Sequence, residues 1–483
     1  MNPLDLLVKK TSGERRDRIP TPHSADSKLF KGWKRRYIVL LALLTIFNII
    51  QACSLVRRVN NGSTDFTVFY NTGVLLREGA GPDIYAGKDQ STEWLRTIPP
   101  FGQWLLHPLT ALSARGAAAV WSALNLAMLG LGLVWLSRAF ERLDAKRRLM
   151  SRVTPIICLV MFALAPGSIQ VGQYSVLFVA CWILYLRLLC GRYSKFAEAA
   201  LAIPAAVKLY PALMIAPAVI RRKWLRCVCF TGWIVVAAVL PTVTYGERTF
   251  ELTQSFWNNA IFSSSGRIAE SQQAQSVNDQ GIDSIALRYL TDGQPIQRQF
   301  PMLPHAALQT DTVLKLVNIT RLAILLISAV VGMRYLRRRR RRRPLWDTVV
   351  LMSLFSAALY LILPGAKSRY AIYELFAFIP LVCRAFVCGR MGKKTQERIW
   401  LTTAAVLLLL VATFLPAAPR AFGLGFCGIA GLWTINIILI YQWSRSNDIF
   451  TRKAAADMGS QASSPAAGVC TFCPNREAHQ NPG

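Results

Sequence analysis

The polar, aromatic-rich stretch at residues 65–125 contains the acidic side chain that is best placed for proton transfer. Asp65 follows the first apolar run by a few residues and is surrounded in sequence by Phe66, Phe69 and Tyr70. Aromatic neighbours withdraw a carboxylate from water and raise its affinity for a proton, and a carboxylate that stays ionised can accept a proton from a hydroxyl group. An acid in a first loop is also typical of a helix cap or a solvated surface. Asp65 is therefore a candidate general base, with these two structural roles as alternatives.

Three cationic side chains could hold a phosphate near such a base. Lys208 interrupts the apolar stretch AAVKLYPAL, and Lys367 and Arg369 follow another apolar run in LPGAKSRY. Cations can bind a phosphate and stabilise it as it leaves, while a carboxylate takes the proton from the attacking hydroxyl. The segment LPGAKSRY could equally be an interfacial anchor. The combination of acid and cations suits the transfer of a sugar from a lipid-linked phosphate.

Motifs that would indicate other chemistry are absent from the sequence. It contains no P-loop, dinucleotide-binding fingerprint, HExxH pair or nucleophile elbow, so we predict no nucleotide-driven chemistry. The eleven cysteines are scattered, and Cys470 and Cys473 form a single CxxC pair with His479 nearby. A structural zinc site needs four ligands and usually two such pairs. We therefore predict neither a metal site nor a cofactor.

The composition is that of a membrane protein. Of the 483 residues, 53% are hydrophobic and only 17% are charged, and the mean hydropathy is +0.33, which is too apolar for a soluble protein of this length. The net charge of +31 comes from short Lys and Arg clusters between apolar runs, a pattern typical of cytoplasmic loops. Apolar runs closely flank the seven arginines Arg337–Arg343, so we interpret these arginines as a loop that touches anionic lipid rather than as a nucleic-acid site.

Eleven apolar runs could cross or enter the membrane, because a span needs roughly 20 apolar residues and a broken or buried segment can be shorter. The runs cover residues 37–55, 114–137, 153–166, 175–190, 197–220, 227–245, 313–333, 346–363, 370–387, 399–415 and 422–443. By the positive-inside rule the basic clusters face the cytoplasm. These clusters lie at 31–36, 138–152, 192–195, 221–226, 334–343, 389–398 and 444–453. We predict that the first run is retained as a helix and is not cleaved as a signal peptide.

The run at 197–220 has basic residues at both ends, so it should enter and leave the membrane on the same side. Lys208 and Pro211 lie in its middle; proline removes a helical hydrogen bond, and a lysine within the membrane needs a cavity or a partner. We predict two half-helices that meet at a polar turn. The alternative is one kinked span, which would place residues 221–223 outside. If the two half-helices are counted separately, the chain is predicted to have about twelve transmembrane or half-membrane helices, with both termini in the cytoplasm.

The polar loops collect on the outer face in this topology. The turn Gly172–Gln173–Tyr174–Ser175 is predicted there, and residues 98–113 should form an amphipathic helix along the interface. The long loop at 246–312 contains IDSIALRYL, which predicts a short amphipathic helix. We divide the chain into a basic cytoplasmic segment at 1–36, a transmembrane domain at 37–443 and a disordered cytoplasmic tail at 444–483.

The sequence resembles glycosyltransferase family 87, the polyprenyl-phosphate-mannose-dependent membrane enzymes of the GT-C class. The resemblance covers roughly Asp65 to Tyr373. The residues that support it are Asp65-Phe66 with Phe69-Tyr70, Asp83-Ile84-Tyr85, Pro99-Pro100-Phe101, Trp121 and Asn125, Gly172-Gln173, Lys208 with Pro211, and Asn278 to Ser284. Family members often have a Trp- and His-rich motif near the start of a late helix. The corresponding stretch here, KSRYAIYELF, has no histidine, which leaves the acceptor and the exact donor open.

The resemblance implies a GT-C-like all-α polytopic membrane protein with its site in extracytoplasmic loops. It implies inverting transfer of a hexose, mannose in the family, with Asp65 as the general base. Residue chemistry and resemblance together nominate Lys208, Lys367 and Arg369 as donor-phosphate ligands. The nominated substrate-binding residues are Phe66, Tyr70, Tyr85, Gln173, Tyr210, Asn278, Gln280, Tyr370 and Tyr373.

The expected partners are a polyprenyl-phosphate-linked sugar donor, a lipid-anchored glycan acceptor and anionic membrane lipids, with no nucleic acid. The expected location is the bacterial inner (plasma) membrane. Two other functions remain open. A transporter or flippase would also have broken helices with intramembrane cations, although no convincing pair of inverted repeats occurs. A lipid-linked glycan polymerase or ligase would use a similar donor but would transfer a preassembled chain.

Overall fold

The computed structural model describes residues 34–92, 94–143, 149–191, 193–262, 280–292, 300, 306–338, 344–363, 366–388, 393–411 and 422–445. Within these ranges the chain is α-helical and contains no β-strand. The basic N-terminal segment up to residue 33, most of the arginine run, Asn278 and the tail with Cys470 and Cys473 lie outside the described residues. The two flanking segments of the predicted division therefore stay predictions.

The α-helices are numbered in chain order over the described residues. They are α1 Arg35–Arg58, α2 Asp65–Arg77, α3 Pro100–Leu106, α4 Ala114–Leu143, α5 Met150–Leu164, α6 Pro166–Val171, α7 Ser175–Leu189, α8 Ala197–Val207, α9 Ala216–Ile220, α10 Trp224–Val239, α11 Thr242–Tyr245, α12 Arg248–Ser255, α13 Ile282–Leu290, α14 Thr310–Arg338, α15 Pro344–Ile362, α16 Leu375–Cys388, α17 Lys393–Val411 and α18 Leu424–Arg445. Short 3₁₀ helices join several of them, including Tyr210–Ile215 before α9 and Ser368–Glu374 before α16.

Seven helical segments in the described residues are long and apolar enough to cross a membrane. They are Arg35–Asn61, Ala114–Leu143, Met150–Val171, Trp224–Tyr245, Thr310–Arg338, Pro344–Ile362 and Leu424–Ser444. Two shorter apolar helical segments, Ser175–Leu189 and Tyr210–Ile220, accompany them. The protein is therefore an all-α polytopic membrane protein, as the composition predicts. The count of about twelve membrane segments stays a prediction.

The predicted break in the run at 197–220 is present. Helix α8 ends at Val207, and Lys208 has extended backbone angles, with φ −149° and ψ 139°. Pro211 then lies in the first turn of the 3₁₀ helix that leads into α9. Proline has no N–H to donate to the Val207 carbonyl, and its ring crowds that carbonyl, which favours a helix end at this point. The local sequence thus predicts the break, and the side of the membrane on which residues 221–223 lie stays a prediction.

Helix α15 forms the centre of the bundle. Within the folded chain 89% of the most apolar stretch of α15 is buried. The corresponding share for the segment Trp224–Tyr245, which contains α10, is 17%. Small residues along α15, among them Ser353, Ser356 and Ala357, let neighbouring helices approach closely. A polar bridge adds to this packing, because Asn436 of α18 donates to the Ala377 carbonyl of α16 at 3.0 Å. Helices α15, α16 and α18 therefore pack closely at the centre of the bundle.

Two predicted loop helices are also present. Helix α3 and the following 3₁₀ helix His107–Ala111 occupy the stretch predicted to form an interfacial helix. Helix α13 coincides with the IDSIALRYL segment. One predicted run begins differently, because residues 370–374 belong to a 3₁₀ helix and α16 begins only at Leu375. The 3₁₀ turn is tighter than an α-helical turn and sets the direction of the side chains of Arg369, Tyr370 and Tyr373.

Candidate active site

Asp65 is the first residue of α2 and is buried, with 6% of its surface exposed. The helix cap is the preceding residue, Thr64, whose hydroxyl accepts a hydrogen bond from the Thr67 amide at 3.2 Å. Asp65 is therefore neither the capping residue nor a solvated surface acid, the two structural roles that its sequence position allows. The N-terminus of a helix carries partial positive charge, so Asp65 lies at the positive end of α2.

Among the described residues the carboxylate of Asp65 has two partners, and both contact the same oxygen. The Arg369 guanidinium forms an ion pair with Oδ2, and the Gln173 amide Nε2 donates a hydrogen bond to Oδ2. The other oxygen, Oδ1, makes no hydrogen bond with any residue in the described ranges. This arrangement orients the carboxylate and leaves Oδ1 able to accept a proton.

Gln173 is positioned by a turn that requires glycine. Gly172 ends α6 with φ +71°, in the left-handed region, and a Cβ there would lie 2.5 Å from the Cβ of Phe66. The Gly172 carbonyl accepts a hydrogen bond from the Trp121 indole at 2.9 Å. The close approach of this turn to α2 brings the Gln173 side chain to Asp65.

Arg369 is held through its backbone. The Ser168 hydroxyl of α6 donates to the Arg369 carbonyl, and the Tyr360 hydroxyl of α15 donates to the Lys367 carbonyl at 2.8 Å. The backbone N–H of Gln280 donates to the Ala366 carbonyl at 2.5 Å, and this hydrogen bond attaches the segment before α13 to the same turn. The turn that bears both cations is therefore fixed from three directions.

Lys208 lies among aromatic rings. Its Nζ is 5.4 Å from the centroid of the Tyr370 ring and 5.9 Å from that of Tyr210. Arg369 faces the same Tyr370 ring at 5.7 Å. Within the described part of the chain Lys208 has no ion pair. We call Asp65, Gln173, Lys208, Arg369 and Tyr370 the Asp65 cluster.

A chain of hydroxyl groups extends inward from this cluster. The Tyr210 and Tyr373 hydroxyls are 2.9 Å apart, and the Tyr373 hydroxyl is 3.0 Å from the Ser175 hydroxyl at the start of α7. The rings of Tyr370 and Tyr373 stack with centroids 5.7 Å apart. These contacts tie the 3₁₀ turn of Arg369 to α7 and to the break after Lys208.

Lys367 is next to the first loop. Its Nζ lies 5.8 Å from the centroid of the Trp94 ring, and Trp94 is 39% exposed. The backbone of Trp94 is held by Asp89, whose amide donates to the Trp94 carbonyl at 2.9 Å. Burial raises the pKa of the Asp89 carboxyl, but hydrogen bonds from Ser91, Asn71 and Thr92 outweigh burial and hold that pKa below its usual range. The ionised Asp89 therefore orders the loop that brings Trp94 to Lys367.

A match to a known protein family identifies the class of enzyme to which this chain belongs. The model of glycosyltransferase family 87 matches residues 97–364, more than half of the 483 residues. The chain belongs to glycosyltransferase family 87. It is therefore a membrane glycosyltransferase. No curated protein matches it.

The family 87 match includes part of the Asp65 cluster and its supports. Gln173, Lys208 and Gln280 lie inside the matched residues, whereas Asp65, Lys367 and Arg369 lie outside them. The roles of the latter three residues therefore depend on the geometry of the site. Within the described ranges, no group of three or more His, Cys, Asp or Glu side chains could hold a metal ion.

Three of the residues predicted to bind substrate in this family 87 protein have no direct contact with the Asp65 cluster or only support it. Tyr85 is 2% exposed and packs edge-on against Phe256 in a separate apolar cluster. Phe66 is 1% exposed and stacks on Trp121, and the Tyr70 hydroxyl donates to the Leu112 carbonyl at 2.7 Å. These three side chains pack the first loop against the bundle.

Three residues that the geometry brings to the site were not predicted from the sequence. Ser168 holds the Arg369 backbone, Ser175 ends the hydroxyl chain, and Trp94 faces Lys367. The two serines flank the turn of Gln173, and this proximity in sequence was the available signal. Trp94 has no comparable signal, since its partner is distant in the chain.

Proposed function

We propose that this family 87 chain transfers a hexose, mannose by family resemblance, from a polyprenyl-phosphate sugar to a lipid-linked or cell-envelope glycan acceptor. Asp65 acts as the general base of an inverting transfer, in a GT-C-like fold whose site faces away from the cytoplasm. The observation that best supports this proposal is the Asp65 carboxylate. This carboxylate is buried at a helix N-terminus and is held through Oδ2. Its other oxygen, Oδ1, forms no hydrogen bond with the described residues.

The cations beside Asp65 suit a phosphate ligand. Lys208 and Arg369 both face the ring of Tyr370. A phosphate that binds between these two cations would form charge-assisted hydrogen bonds to both. In the proposed function these cations hold the donor phosphate and neutralise the charge that it gains on leaving.

The proposed transfer occurs in one step. The acceptor hydroxyl oxygen attacks the anomeric carbon of the sugar as the bond from that carbon to the phosphate oxygen breaks. The electron pair of the broken bond stays on the polyprenyl phosphate, and the hydroxyl proton passes to Oδ1 of Asp65. A phosphate leaves without prior protonation, so one carboxylate is enough where hydrolases of glycosides usually need two.

The ion pair between Asp65 and Arg369 suggests an order of events within this mechanism. In the donor-free protein Arg369 neutralises the base. A donor phosphate would compete for the guanidinium, because Arg binds a phosphate in the same planar, two-pronged way as a carboxylate. Donor binding would thus weaken the hold of Arg369 on Asp65 and leave the carboxylate available to the acceptor hydroxyl.

The experiment that tests this function uses the purified full-length protein, labelled polyprenyl-phosphate-mannose and a membrane lipid extract. We expect a labelled lipid product with inverted anomeric configuration, formed by the wild type and by Asp83→Asn but not by Asp65→Asn. Asp83 is the matched control, because it is an exposed acid of the same loop. Movement of the donor across vesicles without transfer would indicate a flippase, and transfer of only preassembled chains would indicate a polymerase or ligase.

A further inference from the structure

A cationic cavity of about 390 Å³ lies among the ends of α7, α9, α10 and α15. Its lining includes Arg221, Lys223, Arg226, Tyr185 and Thr348. Three of these side chains are cations, and the lining contains no acidic residue. Such a cavity has the charge and size to accept a phosphate group with part of the molecule that bears it.

Two of the three cations are oriented by hydrogen bonds. Arg226 forms an ion pair with Glu198 at 3.0 Å, and Glu198 is buried. Arg221 donates to the Thr348 hydroxyl at 2.6 Å and to the Pro344 carbonyl at 2.9 Å. Lys223 is exposed and has no ion pair within the described ranges. Glu198, which pairs with Arg226, is not among the residues that line the cavity.

Helix ends add to this charge. Helix α10 begins at Trp224, directly after Lys223, and α15 begins at Pro344. Both helices are long, and the partial positive charge of their N-termini lies near the cavity, because Lys223 and Pro344 are part of its lining. The three cations and the two helix ends together favour an anion.

The cavity and the Asp65 cluster lie at opposite ends of the same helices. Helix α8 has Glu198 at its start and Lys208 directly after its end, and its 11 residues span about 16 Å. Helix α7 begins at Ser175, next to Tyr373, and its other end lines the cavity after about 20 Å. The cavity is therefore a second site, distinct from the candidate active site.

The surface beside the cavity is apolar. Trp224, Leu225 and Val228 of α10 are 61%, 77% and 66% exposed. A lipid with its anionic headgroup in the cavity would have acyl chains that could lie along this face of α10. Free phosphate would use the cations but not the apolar face.

We propose that this cavity binds the headgroup phosphate of an anionic phospholipid, on the side of the membrane opposite the Asp65 cluster. The cations hold the phosphate, and the exposed face of α10 contacts the acyl chains. Basic pockets between membrane helices are recognised lipid sites of this kind. The inference does not depend on the proposed transferase chemistry, since it concerns residues outside the Asp65 cluster.

The test is native mass spectrometry of the full-length protein in detergent micelles doped with phosphatidylglycerol or phosphatidylcholine. We expect one tightly bound molecule of phosphatidylglycerol per protein and weaker binding of phosphatidylcholine. The double variant Arg221→Gln with Lys223→Gln should lose phosphatidylglycerol affinity by roughly tenfold or more, the effect of about one charge-assisted hydrogen bond. Lys223→Gln alone should lose less, and it removes only an exposed side chain, so it remains informative if the double variant does not fold.

The matched control is Arg115→Gln, which removes the same charge from an exposed position at the start of α4 and should leave lipid affinity unchanged. Equal losses in Arg115→Gln and Lys223→Gln would indicate general charge attraction and overturn the site. Wild-type affinity in both cavity variants would also overturn it. Displacement of phosphatidylglycerol by an equal concentration of inorganic phosphate would overturn the assignment to a lipid. None of these readouts requires transferase activity.

Discussion

Arg369 forms an ion pair with Asp65 through Oδ2, the same oxygen that accepts the hydrogen bond from Gln173. The side chains of Arg369 and Asp65 are only 14% and 8% exposed, so water screens the pair weakly. The ion pair connects the start of α2 with the turn that follows α15. It thus links the first loop of the chain to the centre of the bundle at the proposed point of proton transfer.

Replacing Asp65 by Asn is expected to reduce the transfer rate by about 100-fold or more, because the amide keeps the shape but cannot accept the proton. Donor binding should survive. Initial rates and donor affinity of Asp65→Asn, measured beside Asp83→Asn, check this. A turnover near that of the wild type in Asp65→Asn would assign the base to another carboxylate, and a product that retains the donor configuration would exclude the one-step mechanism.

Replacing Arg369 by Lys tests the role of its two-pronged guanidinium. Lysine keeps the charge but binds a phosphate as a point charge, so we expect donor affinity to fall by about tenfold, the cost of one hydrogen bond to a charged group. Arg369→Gln should lose more, because the variant also leaves Asp65 without its cation. Donor titration of both variants separates these effects, and an unchanged donor affinity in Arg369→Gln would remove Arg369 from the phosphate site.

Lys208→Met is expected to weaken donor binding by roughly tenfold or more without unfolding the protein, since Lys208 has no ion pair in the described residues whose loss would leave a charge unpaired. The matched control is Lys195→Met, which removes the same charge from an exposed position near the start of α8. Donor titration and thermal unfolding of both variants are the measurements. Wild-type donor affinity in Lys208→Met would assign the phosphate to Lys367 and Arg369.

The hydrogen bonds to Asp89 predict a pH dependence of stability. Because the folded-state pKa of Asp89 lies below its unfolded value of about 4, the ionised carboxylate stabilises the fold above that value. This contribution is lost as the pH falls through the lower, folded-state pKa. Asp89→Asn should therefore be less stable than the wild type at pH 7, by about 1–3 kcal/mol, with a smaller difference at pH 3.

Thermal unfolding of the wild type and Asp89→Asn in detergent across this pH range measures that difference. A difference that stayed constant down to pH 3 would mean that the charge of Asp89 does not stabilise the loop. Asp83→Asn, a substitution at an exposed acid of the same loop, is measured beside it as the control.

The charge pattern predicts the topology. Cysteines introduced at Ser91 and Lys223 of a cysteine-free variant should react with an impermeant thiol reagent from opposite sides of the membrane, Ser91→Cys from outside and Lys223→Cys from the cytoplasm. Both positions are exposed, so access to the reagent is not limited by burial. Labelling of both positions from one side would invalidate the predicted orientation and the extracytoplasmic location of the site.

Local sequence alone was sufficient for the class of protein and for several elements. The long apolar runs predict a polytopic helical bundle, and seven helical segments in the described residues meet the requirement for spanning. Pro211 predicts the break after Val207, and the periodicity of IDSIALRYL predicts α13. These features depend on hydropathy, on the missing N–H of proline and on helical spacing, all of which act between near neighbours in the chain.

The contacts of the site were decided by the tertiary structure. The sequence nominated Asp65, Gln173 and Arg369 separately, but only the packing of α2, α6 and the turn after α15 brings them to one carboxylate oxygen. The same packing places Trp94 beside Lys367 and encloses Tyr85 in a separate apolar cluster. Charge and aromatic type are properties of a residue. Which cation meets which acid depends on how distant helices pack, and no local pattern in the chain contains that information.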